Sequence, residues 1–511
     1  MLPIPLDRAS ELPLQEQIYR YIRDRIGDGT LGAGVRLPAT RVLAERLRVS
    51  RNTALFAYDR LVSEGYLIMR PGQGAFVAEI VKAEPPAAFD FSDADEDERV
   101  VGTRPVHEPP IITAGHSRPA FDFWYARTDP RLFPARIWRS LAWDVLGGCA
   151  AGLSEYGPIC GDPDLRQAIA AHLAETRAIN ASPGQIIVTT GAQEALNLIA
   201  RLFLEPGAVA VVEDPGYAAA AQVFEAHGGQ LVSCAVDDHG LALPELPRDV
   251  RPAFVFVTPS HQFPAGAVMS LDRRRDLIGT CERHGGLIIE DDYDSDIFYE
   301  NPPLAAIAAI DGLRRTVYVG SFSKSLGSGL RLGYVVMPQR YIGQAQAVKS
   351  LMSYGQSWLD QQILARFMAS GRFSRHLRKL RVAYQARRDA MIAGLRTWFG
   401  EDAAIKGTET GLYLTCAVPD GFDLDRLCAL AAKRGIGLYG AAACGVRAKA
   451  DDAARFLVLG YAGLTPNEIA RAFRLGLGLV AQAGSGEPPA QSKRGSDSAC
   501  GTQGVLYKLS S

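Results

Sequence analysis

The residues best suited to chemistry lie around Lys324, which ends the run Ser321-Phe322-Ser323-Lys324 after an apolar stretch. Arg331 follows a short distance along the chain. A lysine amine can form a Schiff base with an aldehyde. Neighbouring hydroxyls and a guanidinium are suited to holding a phosphate dianion. These residues therefore predict a site for an aldehyde that carries a phosphate tail.

Other polar groups also follow short apolar stretches in the same part of the chain. They are Gly191-Ala192-Gln193, Glu213 to Tyr217, Thr258 to His261, and Asp291-Asp292-Tyr293. Each has a plainer explanation when taken alone, since a lone lysine beside serines is usually a solvated surface residue. In a doubly wound sheet, however, the carboxyl ends of the strands form the edge where ligands bind. Several such groups at several strand ends predict one shared site.

The elements that position these groups follow from the apolar stretches. We expect strands at Ile186–Thr189, Val209–Val212, Phe254–Val257, Leu287–Ile289, Thr316–Val319 and Tyr334–Val336. Helical segments lie between them, and this alternation is typical of a mostly parallel, doubly wound α/β sheet. We expect this domain to span residues 121–480 and to include a small C-terminal α+β part.

The first part of the chain has a different pattern. An apolar residue recurs at every fourth position and predicts a helix that ends at Gly27. Pro38 is expected to open a second helix. Ser50 is a suitable N-cap for a third helix, which should run to about Glu64. The residues of the first stripe are Leu14, Ile18, Ile22 and Ile26.

A hairpin is expected directly after these helices. Tyr66–Met69 and Ala75–Val77 are short apolar stretches that flank Gly72 and Gly74. Three helices followed by a hairpin make a winged helix-turn-helix, which we place in residues 1–80. Together with the α/β domain of the later residues, this domain makes the chain multidomain.

The remaining segments and the composition set limits on partners and location. Residues 81–120 contain prolines and an acidic run and predict an extended linker, whereas residues 481–511 predict a disordered tail. The net charge is −1, so any binding to nucleic acid must be local. The cysteines form no C-x-x-C pair and indicate neither a metal site nor disulfides. We expect a cytoplasmic protein with reduced thiols, no secretory signal and no membrane span.

Two sets of motifs give the chain a family resemblance. The first domain carries Arg36-Leu37-Pro38, Val49-Ser50-Arg51, Glu64-Gly65-Tyr66-Leu67 and Gly72-Gln73-Gly74. Together with the polar groups described above, these motifs resemble the MocR family over most of the chain. In that family a GntR-type winged helix is fused to a fold-type I aminotransferase domain that binds pyridoxal 5′-phosphate (PLP).

The resemblance implies roles in holding PLP. Lys324 would form the Schiff base, and Asp291 would keep the pyridine nitrogen protonated so that the ring acts as an electron sink. Tyr293 would bond the ring hydroxyl, and Tyr217 would stack on the ring face. The phosphate would be held by Ala192, Gln193, Ser321, Ser323 and Arg331. Tyr156 would reach the phosphate of a partner subunit, which implies a head-to-tail homodimer.

The sequence departs from the aminotransferase pattern at two places. The asparagine that usually bonds the ring hydroxyl is absent, and His261 or Gln262 would have to replace it. The arginine that usually holds the substrate carboxylate aligns with Val458. Arg455 lies at an odd offset from Val458, so on a regular strand it faces the other way. This weakens the expectation of an effector with an α-carboxylate and favours PLP itself or an amine held by other groups.

The resemblance also implies DNA contacts. Arg51, near the start of the third helix, is a candidate for a base edge in the major groove. Thr53 and Arg41 are candidates for phosphates or base edges, and Arg36 for a phosphate near the wing. Gly72 and Gly74 would let the wing approach a groove without a side-chain clash. The domain is only mildly basic, so a dimer would be needed for a useful operator affinity.

Three functional hypotheses follow. The first is a PLP-dependent, DNA-binding transcriptional regulator whose effector, PLP or an amine or amino acid, is sensed through the internal aldimine at Lys324. The alternative is an active aminotransferase that carries a DNA-binding head. A structural protein with an inactive site is the third, and the presence of the cofactor residues argues against it.

Overall fold

The fold is described from a computed structural model of the chain. The described residues are 3–79, 118–148, 150–244, 246–247, 250–300, 302–419, 422–448 and 456–484. The chain divides into two compact units, Met1–Arg104 and Pro105–Ser511. Most of the predicted linker, and the predicted tail beyond residue 484, lie outside the described residues.

The first unit is a three-helix domain with a hairpin. Its helices are Leu14–Gly27 (α1), Thr40–Leu47 (α2) and Arg51–Ser63 (α3), and its strands are Leu67–Arg70 (β1) and Gly74–Val77 (β2). The strands pair in antiparallel register, with Leu67 opposite Val77. Ile18, Ile22 and Leu61 are fully buried in its core. The winged helix-turn-helix prediction is therefore confirmed.

Local signals in this unit have different outcomes. Ser50 caps α3 as predicted, because its hydroxyl accepts a hydrogen bond from the backbone amide of Thr53 at 3.1 Å. The prediction that Pro38 opens α2 is wrong by two residues, since the helix begins at Thr40. The Pro38 carbonyl instead accepts a hydrogen bond from the Tyr58 hydroxyl at 2.9 Å, which ties the α2 entry to α3.

The second unit is built on a large mixed sheet. Within the described residues the strand order is β4-β12-β11-β10-β9-β5-β7-β8. These strands are Ile186–Thr189 (β4), Val209–Asp214 (β5), Gln230–Asp237 (β7), Gly240–Leu241 (β8), Phe254–Val257 (β9), Leu287–Asp292 (β10), Thr316–Ser321 (β11) and Gly333–Val336 (β12). Strands β5, β7, β9, β10 and β11 run parallel, whereas β12 runs antiparallel to β11 and β4.

The described part of the second unit also contains smaller sheets. The remaining strands are Phe121–Asp122 (β3), Gly216–Tyr217 (β6), Ile405–Lys406 (β13), Tyr413–Ala417 (β14), Ile436–Gly437 (β15), Val446–Arg447 (β16) and Phe456–Gly460 (β17). Strands β13, β14 and β17 form an antiparallel sheet in the small C-terminal part. Strand β15 pairs with β3, and β16 pairs with β6, so the small part is joined to the large one by short strand pairs.

The second unit has helices on both faces of the large sheet and further helices beside the small C-terminal part. They are Ala135–Gly148 (α4), Pro163–Arg177 (α5), Ala192–Phe203 (α6), Ala218–Ala226 (α7), Leu271–His284 (α8), Ile307–Asp311 (α9), Ile342–Ser353 (α10), Trp358–Ala369 (α11), Arg372–Phe399 (α12), Leu424–Lys433 (α13), Pro466–Leu475 (α14) and Leu479–Gly484 (α15). Successive residues of a strand face opposite sides. Thus Val212 packs in one core cluster with α6, whereas Val211 packs in another with α8. The doubly wound prediction is confirmed.

Several predicted boundaries are corrected. Strand β10 continues three residues beyond the predicted end at Ile289, so Asp291 and Asp292 belong to the strand rather than to the loop after it. Strand β11 likewise extends to Ser321. The prediction ended both strands too early because their last residues are polar, and it was based on apolar stretches. The predicted tail also begins too early, since α15 runs to Gly484 and Ala483 is buried.

The described residues contain no helix that is long and apolar enough to span a membrane. In the same part of the chain, no group of three or more His, Cys, Asp or Glu side chains is placed to hold a metal ion. The cysteines described there are free thiols, and most of them are buried, as expected for core residues.

Candidate cofactor and DNA sites

Lys324 and Asp291 come together at the carboxyl ends of two neighbouring parallel strands. Strand β10 pairs with β11 so that Asp291 lies opposite Val319. The chain then leaves β11 and presents Lys324, which is partly buried. Burial lowers the pKa of the Lys324 amine, and the nearby carboxylates of Asp294 and Asp291 act in the opposite direction. A lysine with a lowered pKa is a better nucleophile near neutral pH.

Asp291 is the most strongly perturbed acid of this group. Its side chain is buried, and burial together with the charges of Asp292, Glu213 and Asp294 raises its pKa to about 7. Its Oδ1 atom has no hydrogen-bond partner. Buried polar atoms are normally paired. An unpaired carboxylate oxygen at a strand end is suited to a protonated ring nitrogen, as the family resemblance predicts.

A buried ionic network that sequence reasoning missed lies beside Asp291. Arg177 on α5 contacts Asp292 at 2.7 Å, and the Tyr318 hydroxyl donates to the same carboxylate oxygen at 2.6 Å. Arg177 also donates to the Ser260 hydroxyl at 2.7 Å. These partners fix the end of β10 and therefore the direction of Asp291. The partners are far apart in sequence, so no local motif could reveal them.

The predicted phosphate residues gather near the start of α6. Gly191 precedes this helix with a positive φ of 95°, so the amides of Ala192 and Gln193 occupy its first turn. A Cβ on Gly191 would lie 3.4 Å from the Arg331 guanidinium. Arg331 therefore reaches the helix start, although it has the unusual φ of 53° and is exposed in the single chain.

The serines lie near the same helix start, because Ser321 pairs with Gly333 of β12. The Ser321 hydroxyl bonds to the Ser323 hydroxyl at 2.9 Å and accepts from the Ser323 amide at 3.1 Å. A Cβ on Gly333 would lie 2.7 Å from the Gly191 Cα, so the two backbones need glycine to meet. The structure thus brings Gly191, the serines and Arg331 to one place. Their contact with a phosphate stays a prediction.

Glu194 is a second residue that the sequence did not indicate. It lies in the first turn of α6, where its oxygen accepts from the Thr190 amide at 2.6 Å. The Lys349 amine neutralises it at 2.6 Å, and the Gln356 amide donates at 2.8 Å. The charge of Glu194 is therefore balanced by protein groups, which leaves the helix start favourable to an external anion.

The predicted ring residues are also close together. Gln193 donates to the Tyr217 hydroxyl at 3.0 Å, and the Tyr217 ring meets Phe263 edge-on at 5.9 Å. The Tyr293 hydroxyl donates to the His261 carbonyl at 2.8 Å and lies 2.9 Å from the Tyr413 hydroxyl. A contact between Tyr293 and a ring hydroxyl would add to these bonds. The stacking role of Tyr217 and the bonding role of Tyr293 stay predictions.

The two substitutes for the missing asparagine differ in their availability. The Gln262 amide nitrogen already donates to Glu213, Pro215 and Phe263, and its oxygen accepts from Ala265. His261 pairs with Asp294 at 2.8 Å through Nδ1, while its buried Nε2 has no partner. Of the two, His261 keeps the free polar atom.

Val458 lies in β17 as predicted and is fully buried. It pairs with Thr415 of β14 and packs in a cluster with Trp124, Phe263 and Tyr413. This cluster is aromatic and aliphatic, in contrast to the charged strand ends. Arg455, the neighbouring cation, lies outside the described residues.

Tyr156 is far more exposed than the other candidates, with 86% of its surface accessible in the single chain. Its ring lies 5.6 Å from that of Tyr354, which is also exposed. Leu153 and Leu351 are exposed as well. Such a group of large apolar side chains is typical of a protein–protein interface.

The DNA candidates of the first unit all lie at its surface. Arg36, Arg41 and Arg51 are exposed. Thr53 is partly buried, and its hydroxyl lies 2.8 Å from that of Ser50. Arg51 opens α3, so its guanidinium is free to reach outward from the helix start. The wing glycines Gly72 and Gly74 have positive φ values of 73° and 101° and need glycine for this turn.

Comparisons with known proteins identify both units. Residues 14–77 match the family of bacterial regulatory proteins of the gntR type, and residues 148–471 match aminotransferase class I and II. The probable rhizopine catabolism regulatory protein MocR of Rhizobium meliloti is 32% identical over 462 residues, which cover 90% of this chain and 92% of that protein. The chain belongs to the MocR family of transcriptional regulators.

Further similarities agree with this membership. The MocR-family chain is 31% identical to the pyridoxine biosynthesis transcriptional regulator PdxR of Corynebacterium glutamicum, over 76% of this chain and 80% of that protein. Its second unit resembles the crystal structure of a multiple substrate aminotransferase from Thermococcus profundus, with a TM-score of 0.65 and 27% identity. That match covers 72% of this chain and 93% of the aminotransferase. The aminotransferase fold implies dependence on PLP, and the GntR domain implies DNA binding.

Proposed function

We propose that this MocR-family regulator holds PLP at Lys324 and changes its DNA binding when that site changes its occupant. The observation that carries the proposal is that Lys324 lies near Asp291, close enough for the two charges to act on each other, while the buried Oδ1 of Asp291 has no hydrogen-bond partner among the described residues. When bound, PLP would supply an aldehyde that is reactive toward amines and a ring that withdraws electrons.

The protein's own residues account for the rest of the binding. The amides at the start of α6, Ser321, Ser323 and Arg331 would hold the phosphate dianion by charge-assisted hydrogen bonds. Asp291 would ionise against the ring nitrogen, because a cation next to it offsets the cost of burial. Tyr217 would cover one ring face.

Operator DNA is the proposed partner of the first unit. Arg51 would contact a base edge, Arg41 and Thr53 would contact phosphates or base edges, and Arg36 would contact a phosphate near the wing. We propose a head-to-tail homodimer that presents two such units, with the exposed patch around Tyr156 at the subunit contact. Tyr156 would then reach the phosphate of the neighbouring site, and two half-sites would raise the operator affinity. The protein would act in the cytoplasm.

The proposed effectors are PLP itself or an amine or amino acid that takes the place of Lys324 on the cofactor. An effector shifts DNA binding only if it has different affinities for two states of the protein. PdxR, by its name, regulates pyridoxine biosynthesis, which supports PLP as one candidate. Arg331 and Lys324, which both lie in the second unit, would sense the change of occupant.

Reduction with borohydride tests the cofactor part of this proposal. The purified protein is incubated with PLP, reduced and digested, and the peptides are weighed by mass spectrometry. We expect a stable addition of the pyridoxyl phosphate group on the peptide that contains Lys324. Lys406 is an internal control, because it is exposed and pairs with Asp238 at the surface. Equal labelling of both lysines, or none on Lys324, would contradict the proposal.

The alternative, an active aminotransferase with a DNA-binding head, shares the same cofactor residues. It predicts sustained conversion of amino donors and keto acids, whereas the regulator requires none. An assay of the PLP-loaded dimer with common amino donors separates the two, provided that DNA binding is measured on the same preparation.

A further inference from the structure

A cluster of apolar and aromatic side chains lies beside Lys324. We define the apolar wall as Trp124, Tyr125, Phe263, Tyr413 and Val458. The Tyr125 ring lies 5.1 Å from Phe263 and 6.1 Å from Tyr413. Val458 is fully buried in the same cluster. The wall reaches the reactive lysine, because the Lys324 amine lies 5.7 Å from the centre of the Tyr125 ring.

Among the described residues, Arg127 and Arg447 lie near this wall, and both are held by other groups. Arg127 forms a short hydrogen bond with Asp122, which also accepts from the Tyr439 hydroxyl. Arg447 donates to the Ser233 hydroxyl. Each guanidinium would have to leave its partner to meet a carboxylate at the wall. Among the described residues, a carboxylate there would lose its hydration without gaining a free guanidinium, which is costly.

We propose that the effector is an apolar or aromatic primary amine that has no carboxylate on its amine-bearing carbon. The proposal rests on the proposed function, since it assumes PLP at Lys324. The Tyr125 ring attracts an arriving ammonium by a cation–π contact. Once the amine has lost its proton and reacted, its apolar body packs on the rings of Phe263 and Tyr413.

The exchange is balanced without an oxidant or reductant. The neutral amine nitrogen of the effector would lose two protons as it forms a double bond to the cofactor carbon that Lys324 held. The nitrogen of Lys324 would take up two protons as its own double bond to that carbon breaks, so Lys324 would be freed as a neutral amine beside Asp294 and Asp291. The occupant of the cofactor carbon is therefore the signal.

A matched pair of ligands tests the proposal directly. Phenethylamine and phenylalanine differ only in the carboxylate, and each is titrated into the PLP-loaded full-length dimer. Release of Lys324 is measured as loss of the borohydride label on its peptide, and the cofactor absorbance gives the dissociation constant. We expect phenethylamine to bind at least about 10-fold more tightly, because the carboxylate would be buried without a partner.

Substitutions at the wall sharpen the test. Val458→Arg should reduce or reverse the preference for the amine, whereas Val458→Leu keeps an apolar side chain and should preserve it. Cofactor absorbance and circular dichroism of each variant report whether it still folds and binds PLP. If Val458→Arg fails to fold, the wild-type ligand pair decides the question alone.

The outcomes separate this inference from the proposed function. Absence of the PLP label on Lys324 before any ligand is added would overturn the proposed function itself. A labelled protein that binds phenylalanine as tightly as phenethylamine would overturn only the present inference. Loss of that phenylalanine binding in Arg455→Ala would then identify the cation that holds the carboxylate. A label that neither ligand removes would also overturn the inference and leave PLP as the effector.

Discussion

The two units place their charged residues in opposite settings. In the first unit Arg36, Arg41 and Arg51 are exposed. In the second unit Asp291 is buried, its pKa is raised to about 7, and burial lowers the pKa of Lys324. Exposed charges cost little to keep and can meet a polyanion from outside. Buried charges destabilise the empty site, and a ligand of matching charge relieves that cost.

This difference teaches how each unit should respond to substitution. Changes at the DNA surface should alter binding and leave stability nearly unchanged. Changes at the cofactor site should alter binding and stability together, often in opposite directions. The predictions below test this contrast.

Asp291→Asn should have the largest effect. It removes the charged partner of the ring nitrogen and should weaken PLP binding by about 1.5–3 kcal/mol, or roughly 10- to 100-fold. In the PLP-free protein the same change should be stabilising. The folded pKa of Asp291 is raised to about 7, so the stability that its protonated form gives is lost as pH rises through about 7. Thermal unfolding of the PLP-free variant should show a larger gain at pH 8 than at pH 5.

Asp296→Asn is the matched control for the predicted direction of this change in stability. Although burial acts to raise the pKa of Asp296, the ion pair with His172 at 2.9 Å and the charge of Arg381 lower it. Its stabilising contribution is therefore present at neutral pH and is lost as pH falls through the lowered pKa. The same substitution should destabilise the protein at pH 7. Stabilisation by both variants would contradict the electrostatic account.

Arg51→Ala should have the next largest effect, and this effect should be on DNA binding alone. Loss of a base contact should cost about 1–3 kcal/mol of operator affinity. The unfolding temperature should not change, since Arg51 is exposed. Arg25→Ala removes the same charge from the far end of α1, where Arg25 pairs with Asp28 at 3.3 Å, and should have little effect on specific binding. Equal losses in the two variants would mean that only net charge matters.

Arg60→Ala should have the smallest effect. Arg60 contacts Glu16 at 2.6 Å and Glu64 at 2.8 Å, and its guanidinium lies 3.9 Å from the centre of the Tyr19 ring. Because 48% of its side chain is exposed, solvent screens these pairs. We expect only a slight local destabilisation. Hydrogen exchange of the α1 and α3 amides measures this destabilisation. A loss of stability as large as the loss of PLP binding free energy in Asp291→Asn would contradict the contrast between the two units.

The sequence predicted the elements and the residues at strand ends far better than the contacts between distant segments. The Ser50 cap and the β4 strand depend on neighbouring residues, and both are confirmed. The partners of Asp292 and Glu194 depend on α5 and α10, which only the fold brings near. Arg331 approaches Gly191 because its backbone is left-handed, and no sequence motif indicates that conformation.

The most direct test of the account is the response of DNA binding to the occupant of Lys324. Fluorescence anisotropy of the DNA upstream of the protein's own gene is measured with the full-length protein across a PLP titration, and again with phenethylamine. The wild-type affinity or stoichiometry should change, and Lys324→Ala should still bind DNA but lose this response. DNA binding that stays the same throughout in the wild-type protein, or a response that persists in Lys324→Ala, would contradict the claim that the lysine site controls the DNA-binding unit.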